Sequence, residues 1–159
     1  MEFFTIGVYN SNEANFFQKL VEAEIDTFCD IRQRRGVRGS KYTFVNSRRL
    51  QKRLTDLGVG YVHEKGLAPP KEIRELQKRH DINSGQVKRQ RTRLGSVFCR
   101  EYENQIINNF DFDDFFRSLE GRLAKRVALF CVEEQPLACH RSLVAAEIQY
   151  KTGSLVKEL

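Results

Sequence analysis

Ile25-Asp-Thr-Phe-Cys-Asp-Ile31 is apolar almost without a break until Asp30. A strand with one wet face alternates; a strand with this pattern is covered on both faces and belongs to a parallel sheet flanked by helices. Arg126-Val-Ala-Leu-Phe-Cys-Val132 reads the same way. Phe3 to Tyr9 and Val59 to His63 are further short β-rich runs, and Ser154 to Val156 a short edge strand. Helical spacing fills the intervals. Asn10 with Glu13 forms a capping box for a helix burying Phe16, Phe17, Leu20 and Val21. Asn46 or Ser47 caps a second helix, with Leu50, Leu54 and Leu57 inward and Gly58 as its stop. Lys71 to His80 follows Pro70 with a thin stripe of Ile73 and Leu76. Helices then run from Ser96 to about Asn108 (Val97, Tyr102 and Ile106 inward), from Asp111 to Leu123, and from Leu143 to Lys151. Strand alternating with helix predicts an α/β fold: a three-layer, Rossmann-like domain with a mostly parallel sheet and helices on both faces. The 159 residues are read as one domain, 1–159. Asp81 to Arg93 has no period and is read as part of a flexible basic loop near 81–95.

Composition narrows the class. Hydrophobic residues at 40% and charged residues at 30% are a globular balance. No apolar run reaches the roughly 20 residues that span a bilayer. Met1-Glu-Phe-Phe-Thr-Ile-Gly-Val-Tyr9 lacks a basic leader and reads as a strand, not a signal peptide. Cys29, Cys99, Cys131 and Cys139 form no Cys-x-x-Cys pair, so free thiols and a reducing, cytoplasmic setting are expected. The net charge is +6, but its distribution says more. From Arg32 to Arg53 there is no Asp or Glu, and Arg32, Arg34, Arg35, Arg38, Lys41, Arg48, Arg49, Lys52 and Arg53 all fall in that stretch. Gln86 to Arg100 is a second acid-free stretch, with Lys88, Arg89, Arg91, Arg93 and Arg100. Such clustering is either a solvated face or the footprint of a nucleic acid or nucleotide phosphate.

Ligands of open parallel sheets sit beyond the carboxyl ends of the strands. That rule selects Asn10 and Ser11, then Asp30 and Arg32, then His63 and Glu64, then Glu133 through Arg141. Cys139, His140 and Arg141 arrive together at a helix start, whose free N–H groups favour an anion or a thiolate. Arg141 offers a planar fork for phosphate or carboxylate, and His140 a proton near neutral pH. The plainer reading makes Cys139 a small buried residue and His140 a hydrogen bonder. Asp30, at a buried strand end, needs a partner, and Arg32 shares its side of the strand. Either that pair pins the loop, or Asp30 is a catalytic carboxylate. Glu133 follows Cys131 by the same two-residue step, so Asp30 or Glu133 could work with His140 in acid–base chemistry. No metal site is expected: Cys131 and Cys139 are eight apart, and adjacent Cys139 and His140 would diverge.

Four stretches form a set: Thr5-Ile-Gly-Val-Tyr9 with Phe16-Phe17; Asp30-Ile-Arg32 leading to Arg38 and Phe44; Tyr61-Val-His63 with Leu67-Ala-Pro-Pro-Lys-Glu-Ile-Arg74; and Leu129-Phe-Cys131 with Glu133, Pro136 and Cys139-His-Arg-Ser142. In these the chain resembles the domain of unknown function 488 family. The Cys-His-Arg ending is the most specific. Where the family usually has Pro and Ser, this chain aligns Arg35 and Val37. The resemblance implies an α/β fold and a shared pocket, and no particular reaction.

Two functions compete. One is an enzyme acting on a nucleotide or nucleic acid by hydrolytic or glycosidic-bond chemistry. Asp30, Glu133 and His140 would be catalytic; Asn10, Ser11, Arg32, Arg38, Cys139 and Arg141 would hold phosphate or substrate. Arg34, Arg35, Lys41, Arg48, Lys88, Arg89, Arg91 and Arg93 would contact nucleic acid. The other is a nucleic-acid-binding or regulatory module without chemistry. Redox chemistry on a dinucleotide is disfavoured because no Gly-x-Gly-x-x-Gly appears, and no cofactor is expected. Thiol chemistry ranks last, since no resolving cysteine is close to Cys139 in sequence. A phosphatase loop does not fit between Cys139 and Arg141.

Overall fold

The computed structural model describes residues 1–87 and 90–159; Lys88 and Arg89, expected as nucleic-acid contacts, lie outside the described residues. The elements are β1 (Glu2–Ile6), α1 (Glu13–Glu22), β2 (Thr27–Asp30), α2 (Ser47–Asp56), β3 (Gly60–His63), α3 (Lys71–Asn83), α4 (Ser96–Gln105), α5 (Phe112–Gly121), β4 (Arg126–Phe130), α6 (Arg141–Thr152) and β5 (Lys157–Glu158). The sheet order is β3-β2-β4-β1-β5, and each pairing is parallel.

Alternate residues of each central strand enter opposite cores, as the pleat requires. On one face Phe4, Ile6, Phe28 and Phe130 meet Phe16 and Leu20 of α1 and Leu50 and Leu54 of α2. On the other face Phe3, Cys29, Val127 and Leu129 meet Ile73 of α3, Phe98 and Tyr102 of α4, Phe115 and Leu119 of α5, and Val144 and Ile148 of α6. This double covering is why β2 and β4 read as unbroken apolar runs. The result is the three-layer α/β architecture.

The topology fixes where a site belongs. The chain steps from β1 out to β2 and β3 over one face, then returns to β4 and β5 over the other. The loop leaving β4 therefore departs toward the face opposite to those leaving its neighbours β1 and β2. The carboxyl end of β4 is the switch point at which crevices open in such sheets.

Several local expectations change. Asn12, not Asn10, caps α1, its side chain accepting from the Asn15 N–H at 2.8 Å. Asn10 instead takes a left-handed turn, φ 62°, and Val21 faces outward. In α4 the bulkier Phe98 takes the core position and Val97 is exposed. The last strand pairs through Lys157–Glu158, beyond Ser154–Val156. Most consequential, α3 continues past His80 to Asn83, because Asp81 is buried and holds Arg91 at 2.9 Å. The stretch expected to be a basic loop thus turns Arg91 into the protein. No helix among the described residues is long and apolar enough to cross a membrane.

Candidate functional site

Asp30 ends β2 level with Phe130 of β4 and His63 of β3. Its carboxylate is fully buried. Arg32 Nε donates to Oδ1 at 2.8 Å and Nη2 to Oδ2 at 2.7 Å. The Arg32 N–H and the Tyr61 hydroxyl add bonds of 3.1 and 2.9 Å. Arg32 also donates to the Val45 carbonyl at 3.0 Å and lies 4.5 Å from the Phe130 ring centroid. His63 Nε2 is 2.9 Å from the Arg32 carbonyl. These bonds tie the Asp30 carboxylate to the β2–α2 loop, and nearly every one of its lone pairs is taken. Burial, then the Asp30 charge, pushes the Tyr61 hydroxyl up to about 12, against the opposing influence of Arg35.

Past β4 the chain makes a short 3-10 turn, Pro136–Ala138, and swings Cys139 and His140 back to its own strand end. Cys131, Cys139 and His140 are all buried, and their ligand atoms lie within 4.8 Å of one another. The expectation that Cys139 and His140 diverge is therefore corrected: Nδ1 is 3.8 Å from Cys139 Sγ and 3.9 Å from Cys131 Sγ. His140 Nε2 is 3.1 Å from the Ile31 carbonyl, which can only accept. Nε2 therefore carries a proton, and Nδ1 is the nitrogen turned toward the two sulfurs. Desolvation acts to raise the Cys139 thiol, but the hydrogen bond from Cys131 and the charges of His140 and Arg141 outweigh it and hold the thiol well below its ordinary range. The same hydrogen bond, together with burial, raises Cys131. A second thiol does stand beside Cys139, although it is distant in sequence.

Glu133 is buried beside Arg91, with Nη2 at 3.4 Å. Arg91 also pairs with Asp81 and donates from Nε and Nη2 to the Ala138 carbonyl at 3.2 and 3.0 Å. It is 8% exposed and is not a surface contact in this structure. Arg141 is fully buried at the head of α6. It donates to the carbonyls of Glu133 and Glu134, the latter at 2.7 Å, and Nη2 is 3.7 Å from Glu158. It does not touch Asp30. Asn10 and Ser11 line a recess of about 340 Å³ with Tyr9, Lys19, Glu134 and Glu158. The Asn10 amide donates to Glu134 there, and the Asn10 N–H to the Tyr42 hydroxyl at 3.0 Å.

The loop between β2 and α2 leaves Arg34, Arg35, Arg38 and Lys41 exposed, with Arg48 on the first turn of α2. Among the described residues none of these five is in an ion pair, whereas Arg49 pairs with Glu13 at 2.6 Å and Lys52 with Asp56 at 3.1 Å. Arg93 is exposed as well.

Sequence reasoning missed Tyr61 on Asp30 and Cys131 beside Cys139, and took Glu134 only as part of the Glu133–Arg141 run, without its place in the recess. Tyr61 sits on β3 opposite Phe28, so a strand-pairing register would have found it. No curated protein and no solved structure matches the chain. The family model described as domain of unknown function DUF488 matches residues 13–148, which include Asp30, Arg32, Cys131 and the Cys139-His140-Arg141 head of α6, and the chain belongs to that family.

Proposed function

We propose that the chain binds a nucleic acid or nucleotide phosphate across the carboxyl edge of the sheet. The observation that carries this is the exposed arc of Arg34, Arg35, Arg38, Lys41 and Arg48, which has no acidic partner among the described residues. Side chains held in ion pairs neutralise one another; these five present their charge to solvent, where phosphates can replace counterions. A titration against short single- and double-stranded oligonucleotides at rising salt tests the proposal. If five phosphates are contacted, log Kobs falls against log salt with a slope of about −3.5 to −4.5. Charge reversal at Arg34, Arg35 and Arg38 flattens that slope. Absence of binding at low salt overturns the proposal.

A second reading, an enzyme of hydrolytic or glycosidic-bond chemistry on the same class of partner, draws on the recess beside β1. The site expected to use Asp30 and Glu133 holds those carboxylates in buried ion pairs. Glu134, exposed and lining the recess with Asn10, Ser11 and Lys19, is the acid–base group such chemistry would use. Loss of turnover in Glu134→Gln with oligonucleotide binding retained would support that reading.

A further inference from the structure

From the convergence of Cys131, Cys139 and His140 we propose that the protein holds a thiolate-preferring divalent cation, of which zinc is the type, with these three side chains as ligands. The proposal goes beyond the phosphate-binding reading and stands without it.

Three observations carry it. First, the spacing fits. A tetrahedral zinc with bonds of about 2.3 Å to sulfur and 2.0–2.1 Å to nitrogen sets its sulfur and nitrogen ligands about 3.6 Å apart. Nδ1 lies 3.8 and 3.9 Å from the two sulfurs, so a contraction of a few tenths of an ångström completes those two edges, and the sulfurs, within 4.8 Å of each other, close to about 3.8 Å on the same ion. Second, His140 is already in the ligand orientation, with Nδ1 turned to both sulfurs. Its Nε2–H is spent on the Ile31 carbonyl at 3.1 Å. A metal-bound histidine commonly makes this outer bond, which orients the ring and raises the basicity of the other nitrogen. Third, hydrogen bonds engage the histidine only loosely. One Nδ1 faces two sulfurs, both near the long limit for a sulfur contact, whereas a cation satisfies all three ligands at once.

The chemistry of the set selects the ion. Two thiolates and an imidazole suit zinc and disfavour magnesium or calcium, which take oxygen ligands. Two thiolates also neutralise a divalent cation, so the buried centre carries no net charge. On binding, each thiol gives its proton to solvent and its sulfur lone pair to the metal; no oxidant is needed. Three protein ligands leave a fourth position for water or a substrate atom, the pattern of catalytic rather than structural sites.

The test uses the full chain, reduced and stripped with a chelator, titrated with Co²⁺ and then Zn²⁺. One equivalent of Co²⁺ is expected to produce thiolate-to-cobalt charge-transfer absorption and the intense visible bands of a tetrahedral site, both abolished by one equivalent of Zn²⁺. Cys131→Ser, Cys139→Ser and His140→Gln should each weaken binding by more than about 100-fold, beyond the 10–100-fold typical of an outer-shell loss. Cys99→Ser, outside the cluster, should bind as wild type. Should the cysteine variants fail to fold, competition with a chromophoric chelator on the wild type alone decides the matter. Folded, reduced wild type that develops no charge-transfer band overturns the proposal, as does a band that survives in Cys139→Ser. A Cys131–Cys139 disulfide in the unreduced protein, with no cobalt binding after reduction, would replace it with a redox role for the pair.

Discussion

The guanidinium of Arg32 grips both oxygens of the Asp30 carboxylate, with Nε 2.8 Å from Oδ1 and Nη2 2.7 Å from Oδ2. Both side chains are buried, 4% and 0% exposed. Removing one member of such a pair leaves the other charge uncompensated, which costs about 3–5 kcal/mol. Asp30→Asn should therefore lower unfolding free energy by that order in urea denaturation. Replacing both charges, Asp30→Leu with Arg32→Met, should cost less than the sum of the single changes, since no lone charge remains buried. An Asp30→Asn protein of wild-type stability that has lost only binding or turnover would instead make Asp30 a group that works on a ligand.

Tyr61 gives the same cluster a pH signature. Its hydroxyl donates to Asp30 Oδ2 at 2.9 Å, and it titrates at about 12 in the fold against 10.0 for a free phenol. In the interval between, the unfolded chain has lost the proton that the folded chain keeps, so stability falls as pH rises. The contribution is fully present below pH 10.0 and is lost as the pH approaches about 12. Tyr61→Phe lacks the group altogether. Denaturant midpoints of the two proteins measured from pH 9 upward should converge; a constant gap would show that the phenol does not hold its proton for Asp30.

The legible and illegible parts of this molecule divide along physical lines. β2 and β4 announced the fold because a strand covered on both faces must be apolar at consecutive positions, a constraint written in adjacent residues. The Asp30–Arg32 pairing was readable for the same reason: a two-residue step keeps one side of a strand. The cluster of Cys131, Cys139 and His140 was not. Its geometry depends on the 3-10 turn Pro136–Ala138 returning the chain to its own strand end, and an interval of eight residues does not encode that return. Arg91 looked like a surface charge because its sequence neighbours are polar. Its inward turn is fixed by Asp81, Glu133 and the Ala138 carbonyl, which only the tertiary fold assembles. Arg141 was expected to favour a ligand; the fold gives its donors to backbone carbonyls.

Gly7 is needed because of what approaches it. A Cβ there would stand 2.1 Å from the Glu133 carbonyl oxygen and 3.1 Å from Arg141 Nη1. The first obstacle is backbone and cannot swing aside. Gly7→Ala must push the loop after β4 away from β1, and overpacking of this kind costs about 1–3 kcal/mol. Since the displaced carbonyl is the one Arg141 holds, Gly7→Ala and Arg141→Ala should be non-additive. A double-mutant cycle by urea denaturation reads the coupling; simple additivity would mean that Gly7 and Arg141 act on separate features.

Arg141 itself separates support from ligand capture. Its guanidinium is fully buried, and its two Nη groups hold the carbonyls of Glu133 and Glu134. Those bonds tie the head of α6 to the loop that ends β4, and so fix the approach of Cys139 and His140 to Cys131. Arg141→Ala takes a donor from the buried Glu133 carbonyl and from the half-buried Glu134 carbonyl, at about 1–3 kcal/mol for a buried group left unsatisfied, and opens a cavity as well. We expect a loss of about 3 kcal/mol. For a chain of this length each kcal/mol moves Tm by about 2–4 °C, so the ligand-free variant should melt about 6–12 °C below wild type. Arg141→Lys should recover only part of the loss, because one ammonium on a flexible stem does not reproduce a planar fork set for two acceptors. Melts with and without sulfate complete the test. A ligand-free Arg141→Ala that melts with the wild type, while sulfate stabilises only the wild type, would show that the guanidinium serves an anion rather than the loop.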